Sequence, residues 1–282
     1  LTTHPDTKEL RSNVHRVMAE NIACGLDPDK VALYCQSQVP ATAELYLYLN
    51  MLAYQGELEK TTTFKDKVRQ NPNNVNAGLL TYPVLMTADI ILHRAKYVPV
   101  GKDLEMARTF ANRFKHRYGD GFPEPHAFNY NQSLIKVPGL DGAGKMSKSE
   151  NQMATLYLAD SDDMIRKKVM KAKTDSGPAE KNSPKPDYIQ NVFLLMKLVS
   201  ADDVIQKFEA DYNNCTIQYG ELKKQLAEDM VGFIAPIRGK VDAILHDEKK
   251  LRRIMEQGAV KANKSAAATM ELVRQAIGLK YY

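Results

Sequence analysis

The segment GAGKMSKSEN, residues 142–151, places two lysines and two serines close together without an apolar face. Its glycines let the backbone adopt unusual dihedral angles. Lys145 and Lys148 carry charge on flexible stems, which suits a phosphate group that moves during a reaction, and Ser147 and Ser149 add hydrogen-bond donors. A solvated surface loop is the alternative for any such lysine pair. The full string KMSKS, however, would arise by chance in roughly one chain of this length in ten thousand, so it favours a phosphate-binding loop.

The composition is that of a globular protein. The 282 residues are 44% hydrophobic and 26% charged, with a net charge of +5, and allow one large domain or two ordinary ones. We find no apolar run of about 20 residues that would cross a membrane, and no signal-peptide pattern. The three widely spaced cysteines, Cys24, Cys35 and Cys215, exclude a disulfide framework or a zinc knuckle and suit a reducing cytoplasm.

The pattern of apolar residues predicts an α/β fold with a Rossmann-like parallel sheet, followed by an all-helical domain. Strands are predicted at Val31–Cys35 and at residues 96–101. A helix over residues 79–95 precedes the second strand, with Pro83 tolerated in its first turn. We expect a catalytic domain over residues 1–157 and a helical domain over 158–282.

The helical part carries its own start and stop patterns. Ser161 is predicted to cap one helix, and Ser200 with Asp203 to form a capping box for the next. The last helix ends at Gly278 and could pack back on the catalytic domain. Its predicted apolar face consists of Ala262, Ala266, Met270, Val273 and Ile277.

Asp89 is an unusual residue in the predicted helix 79–95, because its neighbours along the chain are apolar. Tyr82, Met86 and Asp89 have the i, i+4, i+7 spacing of one helix face. One explanation for Asp89 is purely structural: the helix is capped, or its carboxylate is paired, elsewhere in the protein. The other is a carboxylate in an apolar pocket that accepts a hydrogen bond from a ligand N–H or O–H, and so rejects ligands without that donor.

Several stretches together resemble the tryptophanyl-tRNA synthetases, a family of the class I aminoacyl-tRNA synthetases. They are CQSQVPATAEL, GELEKTTTFKDK, TYPVLMTADI, VPVGKD, GKMSKS, KTDSG and GAVKANKSAAATMELVRQAIGL. The resemblance runs from near Leu1 to near Leu279. It is therefore far more specific than any one motif.

The resemblance implies a role for individual residues, with Lys145 and Lys148 as the catalytic pair. The residues implied to bind ATP are Gly101, Lys102, Asp103, Val137, Lys145, Met146, Ser147, Lys148, Ser149 and Lys67, of which Lys67 could equally be a solvated lysine. The residues implied to bind tryptophan are Asp89, Tyr82, Met86, Val98 and Val100. No protein ligand to a metal ion is implied.

The implied reaction has two steps. The carboxylate of tryptophan attacks the α-phosphorus of ATP, which carries Mg²⁺, and the adenylate then passes tryptophan to tRNA(Trp). The resemblance also implies a cytoplasmic homodimer without membrane association. The basic stretch RKKVMKAK, residues 166–173, is a candidate strip for tRNA phosphates, although such a run is often only a solvated helix face.

The sequence departs from the family at two places. The family begins with a strand and a His-x-Gly-Asn-type motif, and it has a Gln-x-Gln-His insertion after the position of Asp103; neither is present. We expect both segments to belong to the protein and to be missing from the printed chain, which alone should not be a competent synthetase. The alternative is a real deletion, which should damage folding as well as activity, because a parallel sheet without its first strand exposes an unpaired edge.

Two alternatives stay open. One is the tyrosine-specific relative of the same class, and the other is an inactive paralogue that binds tRNA or a protein partner. The apolar wall near Met86 favours tryptophan over tyrosine. The intact segment 145–149 speaks against an inactive paralogue. A third class, an amino-acid-binding regulator, is conceivable, but no feature of the sequence supports it specifically.

Overall fold

The structure is a computed structural model that describes residues 6–70, 72–99, 104–128, 136–142, 144–146 and 151–280. Helices dominate these residues. The helices are α1 (Leu10–Ala23), α2 (Ala41–Asn50), α3 (Gln55–Leu58), α4 (Thr62–Gln70), α5 (Ala77–Ile91), α6 (Glu105–Tyr118), α7 (Asp162–Met170), α8 (Asp187–Val199), α9 (Asp202–Asn213), α10 (Tyr219–His246) and α11 (Glu248–Ala276), with a short 3-10 helix at Gln36–Gln38 and strands β1 (Tyr97–Val98) and β2 (His126–Ala127). Among the helices described, none combines the length and apolar character needed to cross a membrane.

The contacts within the chain define two compact units, and the first is discontinuous in sequence. This first unit comprises Leu1–Met18, Leu26–Gln132 and Asp247–Tyr282. Helices α2, α5, α6 and α11 supply most of its apolar core. The predicted face of the last helix is confirmed at Ala262, Ala266, Met270 and Val273, which are buried, whereas Ile277 follows the end of α11 and is half-buried. The other buried side chains of this core include Leu45, Leu49, Ile91, Phe110 and Phe114.

The two strands of the first unit pair in parallel, with Tyr97 opposite His126 and Val98 opposite Ala127. The predicted strand near residues 96–101 is thus confirmed at Tyr97–Val98. This strand follows α5 along the chain.

The strand predicted at Val31–Cys35 is wrong. Its backbone pairs with no other strand in the part of the chain that the structure describes, and its residues are half-buried or exposed. Helix α11 packs against this segment instead. A Cβ added at Gly258 would lie 2.0 Å from the carbonyl oxygen of Leu33, so glycine is what permits the close approach.

The second unit comprises Ala19–Gly25 and Ser133–His246. Its core is built from α7, α8, α9 and α10. Ser161 caps α7 as predicted, because its hydroxyl accepts a hydrogen bond from the Met164 N–H at 3.2 Å. Ile165 and Val169 on the same helix are fully buried. The division of the chain into a catalytic and a helical domain at residue 157 stays a prediction.

Two local predictions are wrong. Ser200 does not cap α9: it ends α8, where its N–H donates to the Met196 carbonyl at 2.7 Å, and α9 begins one residue later, after Ala201. Pro83 lies in the second turn of α5 rather than the first, because the helix already begins at Ala77. Asn76 supplies that earlier start by accepting from the Leu79 N–H at 3.0 Å.

Candidate functional site

One group of candidate residues, in the first unit, is organised around Asp89, near the end of α5. Gln36 in the 3-10 helix donates its side-chain amide to both carboxylate oxygens of Asp89 at 2.8 Å. Asp89 is exposed, and its place in an apolar pocket stays a prediction. The carboxylate is therefore oriented by an amide and still open to a ligand.

The protein around Asp89 tunes its charge. Partial burial raises the pKa of Asp89, while the Gln36 hydrogen bond and His93 act in the opposite direction. Burial lowers the pKa of His93, and Asp89 only partly offsets this. Since the pKa of an unperturbed histidine is about 6.5 and that of His93 is lowered, His93 is mostly neutral at pH 7. Asp89 consequently faces a neutral imidazole rather than a competing cation.

Tyr34 completes this cluster. Its hydroxyl lies 2.8 Å from Nε2 of His93, and the two rings meet edge to face with their centres 5.9 Å apart. Burial, and then the charge of Asp89, raise the pKa of Tyr34, so the phenol stays protonated. Sequence reasoning missed Gln36, His93 and Tyr34 as site residues. The i, i+4 spacing of Asp89 and His93 could have indicated the histidine.

Tyr82 and Lys67 come together at another part of the first unit. The Lys67 ammonium nitrogen lies 5.7 Å from the centre of the Tyr82 ring, within the range of a cation–π contact. Lys67 is in the last turn of α4, Tyr82 and Met86 are on α5, and Val98 is on β1. All four are half-buried. Val100, Gly101, Lys102 and Asp103 lie outside the described residues.

A separate group of candidate residues forms the stem of the KMSKS loop, in the second unit. Pro138 and Lys145 form an antiparallel bridge. The Met146 N–H donates to the Val137 carbonyl at 2.7 Å, so these two backbones are bonded to each other. Val137 and Lys145 are exposed. Ser147, Lys148 and Ser149 lie outside the described residues.

Glycine is required at the turn of this stem. Gly142 has a φ of +76° and Gly144 a φ of +55°, both in the left-handed region. A Cβ at Gly142 would also lie 2.6 Å from Cβ of Tyr188, whereas one at Gly144 would meet nothing within 4 Å. The two glycines thus differ in what a side chain would disturb.

The stem is anchored to the core of the second unit. The Leu140 N–H donates to the Ala154 carbonyl at 3.0 Å, and the Lys173 N–H donates to the Leu140 carbonyl at 2.8 Å. The Leu156 N–H donates to Sδ of Met146 at 3.3 Å. The chain segments before and after the KMSKS motif are therefore tied together, and they position exposed Lys145.

The basic strip at residues 166–173 is only partly available to a polyanion. Lys168 is 4% exposed and lies in the core. Arg166 forms an ion pair with Glu228, with nitrogen–oxygen distances of 2.8 and 3.0 Å. Lys167, Lys171 and Lys173 remain exposed. Within the described ranges, no group of three His, Cys, Asp or Glu side chains is placed to hold a metal ion.

Comparison with known proteins identifies the family. The sequence profile described as "tRNA synthetases class I (W and Y)" matches residues 1–235. The chain is 54% identical to the tryptophan–tRNA ligase of Porphyromonas gingivalis over 99% of its own length and 86% of that protein. It is 36% identical to the tryptophan–tRNA ligase of Clostridium perfringens, over 96% of this chain and 82% of that protein.

The structure is similar to that of a synthetase of the same kind. The tryptophanyl-tRNA synthetase from Campylobacter jejuni, solved in complex with ADP and tryptophan, superposes with a TM-score of 0.85 at 33% identity, covering 99% of this chain and 86% of that one. This confirms the predicted fold class, a Rossmann-like α/β catalytic domain followed by helices. The chain belongs to the class I tRNA synthetases of the tryptophan and tyrosine group.

Proposed function

We propose that the protein is a tryptophan–tRNA ligase that forms tryptophanyl-adenylate from tryptophan and ATP and then esterifies tRNA(Trp). The observation that carries the choice of substrate is the Asp89 carboxylate, oriented by Gln36 and facing a neutral His93. An indole needs one acceptor for its N–H and burial for the rest of its ring. Tyr82, Met86, Val98 and Val100 are the residues that we propose to enclose the ring.

The first step needs no nucleophile from the protein. A carboxylate oxygen of tryptophan forms a bond to the α-phosphorus of ATP, and the bond from that phosphorus to the bridging oxygen breaks to release pyrophosphate. Mg²⁺ enters with ATP as part of the substrate. Lys67, Lys145 and Lys148 supply positive charge for the leaving pyrophosphate, which is catalysis by positioning and electrostatics.

The ATP is held, in this proposal, by the backbone and side chains of both loop regions. Gly101, Lys102 and Asp103 follow β1, with Asp103 facing the ribose, and Ser147 and Ser149 donate to phosphate. The Met146 N–H donates to the Val137 carbonyl, and we propose that the backbones of these two residues flank adenine.

In the second step a hydroxyl of the terminal ribose of tRNA(Trp) attacks the carbonyl carbon of the adenylate, and AMP leaves. Exposed Lys167, Lys171 and Lys173 are the members of the basic strip that can contact tRNA phosphates. We further propose a cytoplasmic homodimer. The free cysteines, of which Cys24 and Cys215 are exposed, suit a reducing compartment.

The test is amino-acid-dependent exchange of labelled pyrophosphate into ATP by the full-length protein, with tryptophan and tyrosine side by side. Exchange with tryptophan alone supports the proposal. Exchange with tyrosine assigns the protein to the other branch of the group. Absence of exchange with both would favour an inactive paralogue.

Direct binding of radiolabelled tryptophan to the full-length protein, measured by equilibrium dialysis, provides a second test. Losing a hydrogen bond to a charged group costs about 1.5–3 kcal/mol, so Asp89→Asn should weaken tryptophan binding by about 10- to 150-fold. Asp120→Asn removes an exposed carboxylate that pairs with Lys115, and it should bind tryptophan like the wild type. Equal affinities for the two variants would remove Asp89 from the site.

A further inference from the structure

Lys168 is a buried cation that the reaction described above does not use. Its ammonium nitrogen lies 2.6 Å from Oδ2 of Asp160 and 2.8 Å from the backbone carbonyl oxygen of Thr155. It also lies 4.6 Å from the centre of the Tyr157 ring. Burying an ammonium group is costly unless it is paired and hydrogen-bonded, so these contacts compensate for the burial of Lys168.

All three partners belong to one stretch of chain, residues 155–160. Asp160 also accepts a hydrogen bond at Oδ2 from the backbone N–H of Tyr157, at 2.9 Å. The backbone carbonyl of Asp160 accepts from the guanidinium of Arg238, which also pairs with Asp162. Lys168 is therefore the point at which α7 holds this stretch, and α10 holds its far end.

The same stretch, with the adjoining Ala154, is hydrogen-bonded to the stem of the KMSKS loop. Leu156 donates its N–H to Sδ of Met146, and Ala154 accepts from the N–H of Leu140. Both Leu140 and Ala154 are buried. A shift of residues 154–156 would therefore move both arms of the stem, and with them the position of Lys145.

We propose that Lys168 is a positioning residue for adenylate formation: it holds residues 154–160, and through them it positions Lys145 on the stem of the KMSKS loop for the phosphates of ATP. The role rests on the proposed function. Under this proposal Lys168, although it belongs to the basic stretch 166–173, supports the KMSKS loop and does not contact tRNA. Lys168 touches neither substrate nor reacting atoms.

The test compares Lys168→Met with Lys240→Met in the full-length protein. Methionine keeps the unbranched stem and removes the charge and its donors, and Lys240 is an exposed lysine on α10 in the same unit. We expect Lys168→Met to lower the turnover of tryptophan-dependent pyrophosphate exchange by about tenfold or more while changing the tryptophan Kd by less than about twofold. Lys240→Met should match the wild type in both.

Hydrogen–deuterium exchange gives a readout that does not depend on activity. In Lys168→Met the amides of Leu140, Met146 and Leu156 should exchange faster, while those in the middle of α10 stay protected. Should Lys168→Met fail to fold, Asp160→Asn, which leaves the bond from Lys168 to Thr155, should show the same pattern to a smaller extent.

Each outcome decides between explanations. The inference would be overturned if Lys168→Met, or Asp160→Asn in its place, matched the wild type both in pyrophosphate exchange and in hydrogen–deuterium exchange. So would an equal loss of tryptophan binding and turnover, which indicates only a damaged fold. A wild-type protein without pyrophosphate exchange would instead refute the proposed function, and the amide exchange would still show whether Lys168 holds the loop.

Discussion

Replacing Gly258 by alanine should push α11 away from the segment that leads to Gln36. The new Cβ would lie 2.0 Å from the carbonyl oxygen of Leu33 and 2.6 Å from its carbonyl carbon. These are backbone atoms, which cannot rotate aside as a flexible side chain can. Lys261 on the same helix also donates to the carbonyl of Val31 at 3.4 Å, so both contacts would be disturbed together.

The expected size of the effect is the difference of two contributions. Alanine is better than glycine within a helix by about 1 kcal/mol. Forcing a carbon into a well-packed contact costs about 1–3 kcal/mol, and we take the upper end because the backbone must move by roughly 1 Å. The free energy of unfolding should therefore fall by about 2 kcal/mol, or about 4–8 °C in Tm for a chain of this size.

The assay is thermal unfolding followed by circular dichroism, with Gly239→Ala as the matched control. Gly239 is also within a long helix, but a Cβ there would meet nothing within 4 Å. That variant should gain about 1 kcal/mol. Gly258→Ala should in addition weaken tryptophan binding, because Leu33 lies three residues before Gln36. If both variants are stabilised alike, the close packing of α11 on this segment is refuted.

Two further predictions concern the site itself. Because burial raises the pKa of Asp89, the ionised form that accepts the ligand N–H is present above that raised pKa and is lost as the pH falls through it. Tryptophan affinity should thus decline towards acid pH in the wild type and stay flat in Asp89→Asn, and parallel pH profiles would contradict this. Gly142→Ala should lower pyrophosphate exchange and Tm more than Gly144→Ala, because both strain a left-handed backbone but only the first clashes. Equal losses would show that strain alone decides.

Local patterns in the sequence predicted much of the helical structure. The Ser161 cap and the apolar stripe of α11 depend on spacing within one helix, and both are confirmed. The KMSKS string identified the class because so specific a string is rare. The failed Ser200 cap shows the limit of such patterns. Ser200 lies only one residue before the true N-cap of α9, but its backbone N–H is already bonded to the end of α8.

Contacts between distant segments could not be read in this way. The burial of Lys168 depends on Asp160 and Thr155, and a run of basic residues gives no sign of it. The support of Asp89 by Gln36 joins residues 53 positions apart. The extended segment at Val31–Cys35 has strand-like composition, yet strand pairing is a property of two segments and not of one.

The discontinuity of the first unit has a consequence for how the protein is made. Ala262, Ala266, Met270 and Val273 complete a core whose other walls come from α2, α5 and α6. The ribosome synthesises those walls first, and the whole second unit is translated before the closing helix emerges. The nascent first unit therefore waits with its apolar side chains uncovered, a state in which chains aggregate. Chaperone capture during translation should accordingly persist until α11 has left the exit tunnel, however early the second unit has folded.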